Sequence, residues 1–265
     1  MPPMTFRTAL ITGASAGLGA AYARRLAAAG ADLVLVARRL DRLDDLAREL
    51  RAKHGVTVET LRADLSTEAG LATVEASIAK GATLDLLVNN AGFGGRSGFV
   101  RGEIADHIEM VRVHVDGAVR LTKAALPGMI DRGRGAVVNV ASVAAFSPFS
   151  GAMYSGTKAF LVMFSENLQA EVRSKGVVLQ ALCPGMTHTE FHAVAGIDKS
   201  IVPRPVWMTA EAVVRVSLRR LGRGVICIPG WVNKAVSFFM RCPLTAGLVR
   251  AAGRMRLVRK KAGRD

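Results

Sequence analysis

The chain has 265 residues, half of them apolar, and a formal charge of +15 at neutral pH. That length and apolar content suit one large α/β domain and exclude an intrinsically disordered chain. No apolar run reaches the ~18 residues of a membrane-spanning helix, and Met1–Thr8 does not read as a secretory leader, so a cytoplasmic setting is expected.

Strand-like and helix-like segments alternate along the chain. Thr8–Thr12 reads as a buried strand, and Gly17–Ala29 as a helix with Leu18, Tyr22 and Leu26 four apart. Leu33–Val36 is the next strand, followed by a charged amphipathic helix over Leu40–His54. Further strands are expected at Val56–Leu61, Leu84–Val88, Ala136–Val140, Val177–Leu182 and Val225–Ile228. Helices are expected at Thr67–Lys80, Glu103–Asp131, Gly151–Lys175 and Thr209–Leu221. Continuously apolar strands indicate a sheet covered on both faces. Their alternation with helices predicts a single Rossmann-type, doubly wound parallel sheet of about seven strands flanked by helices. Residues 1–230 read as a catalytic domain with a substrate loop at 186–208, and 231–265 as a basic, partly amphipathic extension.

The first strand runs into Thr12-Gly13-Ala14-Ser15-Ala16-Gly17-Leu18-Gly19, and a helix begins at once. Glycines at these places let the backbone turn sharply and approach a pyrophosphate, to which the helix start offers free N–H groups. The spacing is not GxGxxG but serves the same physics; glycines also serve plain tight turns. The second strand ends in Val36-Ala37-Arg38-Arg39, with no carboxylate. A carboxylate there would hydrogen-bond a ribose 2′-hydroxyl, whereas an arginine pairs with a 2′-phosphate, so the expected cofactor is NADP(H) rather than NAD(H).

Three further pieces fall at strand ends. The fourth strand is followed by Asn89-Asn90-Ala91-Gly92, and the fifth by Ser142. Twelve residues later comes Tyr154-Ser155-Gly156-Thr157-Lys158. Tyr154 and Lys158 share a helix face, which places an ammonium near a phenol and is expected to lower the phenol's pKa. A phenol so tuned exchanges a proton with a developing alkoxide, and Ser142 can bond the same oxygen.

Taken together, TGASAGLG at 12–19, NNAG at 89–92, Ser142, YSGTK at 154–158 and PG at 184–185 resemble the short-chain dehydrogenase/reductase family over about Thr8–Glu190. The resemblance implies roles residue by residue. Tyr154 matches the acid/base, Lys158 the lysine that holds the nicotinamide ribose, and Ser142 the serine that polarises the carbonyl. Gly13, Ser15, Gly17, Leu18 and Gly19 match the pyrophosphate turn, Arg38 the 2′-phosphate selector, and Asp64 the adenine contact. Asn90, Ala91 and Gly92 match the segment beside the adenosine ribose, and Pro184, Gly185, Thr187 and Thr189 the stretch flanking the carboxamide. His114 stands where the family often has a relay asparagine; it donates to the relay, titrates near neutrality, or packs inertly on its helix.

Phe146, Phe149, Met153, Phe191, Val194, Ile197, Val206 and Trp207 are expected to wall an apolar pocket, which suits a hydrophobic ketone or secondary alcohol. The two long helices predict a homodimer or homotetramer. Cys183, Cys227 and Cys242 are odd in number and lack metal-ligand spacing, so no metal is expected. Arg241–Asp265 carries eight Lys/Arg against one Asp. No nucleic-acid module accompanies that charge, so nucleic acid is not an expected partner. A solvated or docked tail is one reading and peripheral contact with an anionic membrane another. The reading is an NADP(H)-dependent oxidoreductase, the alternative being a non-catalytic dinucleotide sensor of the same fold.

Overall fold

Largely apolar runs of four to six residues, too short for helices and bounded by glycine or polar turns, form the inner strands, and the more polar Val58–Arg62 and the two-residue Ile226–Cys227 form the edges. In the computed structural model, which describes residues 4–80, 83–95, 98–147, 150–190 and 206–241, they build one parallel seven-stranded sheet. The elements are β1 (Thr8–Thr12), α1 (Gly17–Ala27), β2 (Asp32–Ala37), α2 (Leu40–His54), β3 (Val58–Arg62), α3 (Glu68–Lys80) and β4 (Leu86–Asn89). Next come α4 (Ile104–Val111), a π-helical turn (Arg112–Asp116), α5 (Gly117–Asp131), β5 (Gly135–Val140), a 3₁₀ turn (Val143–Phe146), α6 (Ala152–Val172) and β6 (Val177–Leu182). The chain continues through β7 (Thr187–His188), β8 (Met208–Thr209), α7 (Ala210–Arg220), β9 (Ile226–Cys227) and α8 (Trp231–Arg241).

The sheet order is β3-β2-β1-β4-β5-β6-β9. The chain therefore reverses direction between β1 and β4, and a doubly wound sheet opens its crevice at that switch point. Every residue of β4 and β5 is buried, as strands covered on both faces must be. One core lies under α1, α2 and α7, with Tyr22, Leu35, Leu43 and Val213 fully enclosed. A second lies under α3 and α5, around Leu10, Leu71, Leu121 and Met129.

Buried polar groups in the first core are paired. The Tyr22 hydroxyl donates to Ser217 Oγ at 2.5 Å, that hydroxyl donates to Gln180 Oε1, and Gln180 Nε2 donates to Ser217 O at 3.2 Å. Each group would cost about 1–3 kcal/mol if orphaned, so the network fixes how α1 and α7 sit on β6. Two expectations shift in detail. The long helix over Glu103–Asp131 is interrupted by the π-helical turn, and β7 pairs with β8 in a separate two-stranded sheet. Phe149, Phe191, Val194, Ile197, Cys242 and the basic cluster beyond Arg241 lie outside the described residues.

Candidate active site

The carboxyl ends of the parallel strands border a cleft of about 990 Å³. Its lining begins at the glycine turn. Gly13 and Gly17 have φ of +64° and +56°, the left-handed region that L side chains avoid. A Cβ on Gly13 would stand 2.9 Å from the Ala91 Cα, and one on Gly19 would stand 2.3 Å from the Gly13 carbonyl oxygen. The turn is therefore closed to side chains on its inner side. Ala16, at the head of α1, gives no side-chain acceptor to the first-turn N–H groups. These groups are thus available to a phosphate, and the residues present fit a dinucleotide's pyrophosphate.

Asn90 braces this turn. Its Nδ2 donates to the carbonyls of Thr12 and Gly13 at 2.8 and 3.2 Å, while the Asn90 and Ala91 N–H groups both donate to Thr12 Oγ1 at 3.0 Å. At the far side of the turn, Asp64 Oδ1 accepts from Ser66 N and Oγ. Burial alone would raise its carboxyl, but the Ser66 bonds and the Arg38 charge outweigh burial and hold it below the usual range. Arg38 reaches Asp64 at 4.0 Å and Glu109 at 3.8 Å. Arg39, not singled out alone in the sequence, makes the closer contact with the turn: its Nε and Nη2 donate to Ser15 Oγ at 3.3 and 3.1 Å.

At the other end, Ser142, Tyr154 and Lys158 converge on the cleft wall. Ser142 hydrogen-bonds the Tyr154 side chain, and its Oγ accepts from Ala144 N at 3.1 Å. Lys158 is buried on α6, where its Nζ donates to the Val140 carbonyl at 2.9 Å and lies 5.7 Å from the Tyr154 ring centre. The expected lowering of the phenol's pKa is not found in this arrangement. Burial pushes Tyr154 up to about 12, against the Ser142 bond that lowers it. Burial also pulls Lys158 down to about 8. The reason is geometric: the ammonium points to the end of β5 rather than to the phenol oxygen.

His114 sits in the π-helical turn and is 1 % exposed. Its Nε2 accepts from Phe93 N at 2.9 Å, and its Nδ1 meets Thr157 Oγ1 at 3.1 Å. Thr157 gives its only hydroxyl proton to the Tyr154 carbonyl at 3.0 Å. A backbone N–H can only donate, so Nε2 carries the lone pair and Nδ1 carries the proton. Burial, and next the Lys158 charge, hold the imidazole well below its ordinary 6.5. His114 is therefore a neutral tie between the segment after β4 and the start of α6, and the expectation that it titrates near neutrality is corrected. A Cβ on Gly92 would stand 3.0 Å from His114 Nε2, so a side chain there would press on this tie.

Pro184 accepts from Val143 N at 3.0 Å, joining the segment after β6 to the 3₁₀ turn. Thr187 Oγ1 donates to Gly185 O at 3.0 Å, and Thr189 lies against Gly17, whose Cβ would stand 3.2 Å from Thr189 Cγ2. Gly19 apart, all the sequence-selected cofactor residues, with Tyr154 and Lys158, line the one cleft; Gly19 lies directly behind Gly13. His114 lies behind it.

The family model for short chain dehydrogenase matches residues 7–199. The chain belongs to the short-chain dehydrogenase family. A short-chain dehydrogenase from Sphingobium yanoikuyae, solved in complex with NADPH, superposes with a TM-score of 0.82 at 37% identity, covering 96% of this chain and 95% of that one. Serine 3-dehydrogenase of Agrobacterium fabrum is 40% identical over 190 residues, 71% of this chain and 74% of that protein. Very-long-chain 3-oxoacyl-CoA reductase-B of Danio rerio is 31% identical over 240 residues, 86% of this chain and 75% of that protein.

For a short-chain dehydrogenase, the feature the sequence concealed is α8. Asn233 packs on Gly185, where a Cβ would meet Asn233 Oδ1 at 2.2 Å, and Asn233 Nδ2 donates to Pro229 O at 2.9 Å. Val232, Asn233, Val236 and Met240 line the cleft. α8 thus forms a wall of the site, as the docked reading of this segment allowed. Of the expected apolar wall, Val206 borders the cleft and Met153 an adjoining cavity of about 100 Å³. Trp207 stacks on His188 at 4.8 Å, and the Phe146 ring carries the Arg241 guanidinium at 5.0 Å.

Proposed function

We propose that the chain is an NADP(H)-dependent oxidoreductase that interconverts a hydrophobic ketone and its secondary alcohol. The observation that carries the reading is the convergence of Ser142, Tyr154 and Lys158 on the wall of the cleft that begins at the glycine turn. The cationic end of β2, without a carboxylate, supports NADP(H) over NAD(H), as does the NADPH bound to the Sphingobium relative. The cofactor, when bound, supplies or accepts the hydride.

The remaining chemistry belongs to this chain. Burial keeps the Tyr154 phenol protonated at neutral pH, the state that donates a proton to a carbonyl oxygen gaining charge. Ser142, already bonded to Tyr154, is placed to share that oxygen and orient it. Lys158, with a pKa near 8, is mostly cationic at pH 7 and adds positive charge beneath the site. Its reach to a ribose hydroxyl is the role the family resemblance gives it.

Apolar side chains on the cleft wall, Phe93, Met186, Val206, Val232, Val236 and Met240, support a hydrophobic substrate. The relatives' printed substrates differ, one a serine and one a very-long-chain 3-oxoacyl-CoA; the apolar wall favours the second kind. Exposed Ile104 and Ile108 on α4, with Phe160 and Met163 on α6, support a homodimer or homotetramer. Among the described residues no helix is long and apolar enough to cross a membrane.

The test is NADPH oxidation against a panel of hydrophobic ketones, beside NADH. Tyr154→Phe should lower kcat at least about a hundredfold, the usual worth of a general acid, and leave NADPH binding within about twofold. Turnover of that variant near the unmodified rate, or a preference for NADH, would reject the proposal.

A further inference from the structure

The end of the cleft beyond the glycine turn holds an anion site that the chain fills with its own carboxylate. Arg39 Nη1 donates to Glu190 Oε2 at 3.2 Å, and Arg42 Nη1 donates to Glu190 Oε1 at 2.7 Å. The same Arg39 holds Ser15 Oγ through Nε and Nη2. Three distant parts of the chain meet here: the glycine turn, the start of α2 and the residues after β7. Both guanidiniums hold the Glu190 carboxyl below its usual range, Arg42 more than Arg39.

A half-exposed ion pair by itself stabilises a fold little. This one differs in its position. Ser15, Arg39 and Glu190 all border the cleft. The glycine turn takes the pyrophosphate and the Tyr154 end takes the nicotinamide, so the ground around Arg38, Arg39 and Asp64 is left for the adenosine. A guanidinium fork accepts a carboxylate and a phosphate with the same geometry. Arg38 lies toward Asp64 and Glu109, and the forks that face Glu190 are those of Arg39 and Arg42.

We propose that Glu190 is a built-in competitor of the cofactor's 2′-phosphate: it occupies Arg39 and Arg42 until the phosphate displaces it. The inference rests on the reading of the cleft as a dinucleotide site and adds a specificity-determining residue that opposes the arginines. Glu190 lowers the affinity for a 2′-phosphorylated nucleotide and leaves that for an unphosphorylated one alone.

The experiment titrates the full chain and its Glu190→Gln variant with adenosine 2′,5′-bisphosphate and with AMP, by calorimetry or by displacement of NADPH fluorescence. Glu190 is exposed, and the amide keeps its size, so the variant should fold; an unchanged melting curve checks this. Glu190→Gln should tighten the bisphosphate about fivefold, the scale of one partly screened charge-assisted bond, and move AMP by less than about twofold. No tightening, equal tightening of both nucleotides, or weakening, as a clasp would give, overturns the proposal. If the unmodified chain does not distinguish the two nucleotides, its assignment to NADP(H) fails. The inference about Glu190 is then still decided by whether Glu190→Gln creates the distinction.

Discussion

Replacing Lys158 by Met should make the protein more stable while removing its activity. Lys158 is buried, and burial lowers its pKa from 10.5 to about 8. At 1.36 kcal/mol for each pKa unit, holding that charge at pH 7 costs the fold about 3 kcal/mol. Methionine keeps the volume and drops the charge, but leaves the Val140 carbonyl without the Lys158 donor, a loss of about 1 kcal/mol. The net gain is about 2 kcal/mol, or about 5 °C in Tm for a domain of this size. The pH dependence gives a second readout. Between pH 8 and 10.5 the unfolded chain holds a proton that the folded chain has lost, so stability rises with pH across that window. The difference between unmodified protein and Lys158→Met in urea unfolding should therefore shrink from pH 7 to pH 10. A variant that is no more stable at pH 7, or a difference that does not change with pH, would refute the reasoning.

His114→Ala orphans the Phe93 N–H and should cost about 2–3 kcal/mol in urea unfolding, with a lower kcat; His114→Gln, whose amide oxygen reaches the position of Nε2 and can still accept that bond, should recover most of both. In the unmodified protein the rate should show no inflection near pH 6.5, and one that disappears in His114→Gln would contradict the neutral tie. Ending the chain after Gly230 should abolish activity, because it removes Asn233 from Gly185 and opens the cleft wall; ending it after Arg241 should preserve turnover of a soluble ketone. Equal loss in both truncations would show that the site needs the remaining tail.

The parallel sheet was legible because its inner strands carry a signal independent of distance: largely apolar runs between polar turns. β5 was expected at Ala136–Val140 and spans Gly135–Val140; β6 was expected and found at Val177–Leu182. The glycine turn and the Ser142, Tyr154 and Lys158 set were legible from order and spacing. The π-helical turn was not, because it spans only Arg112–Asp116 and the helices on either side keep their own apolar period. β7 and β8 were hidden because two residues show no alternation. The direction of the Tyr154 pKa shift was hidden for a different reason: four-residue spacing puts two side chains on one face, but not their tips together. Lys158 takes the carbonyl of Val140, and no sequence pattern records that choice.

α8 shows how a binary pattern can mislead. Its inward residues are Asn233 and Ser237, 6% and 1% exposed, while Trp231 and Phe238 are 79% and 66% exposed. Read by hydropathy, the aromatic side would face the protein and the polar side the solvent. The structure reverses this, because the backbone of Gly185 lies so close to the helix that only a small or hydrogen-bonded residue fits between them. The same closeness makes the segment after β6 depend on α8 for its position, and that segment carries Pro184, Gly185, Thr187 and Thr189. On the proposed reading, the helix therefore supports the nicotinamide end of the site through Asn233 and contributes Val232, Val236 and Met240 to the substrate side. A boundary drawn at residue 230 separates Ser142, Tyr154 and Lys158 from one of the elements that holds their cleft together.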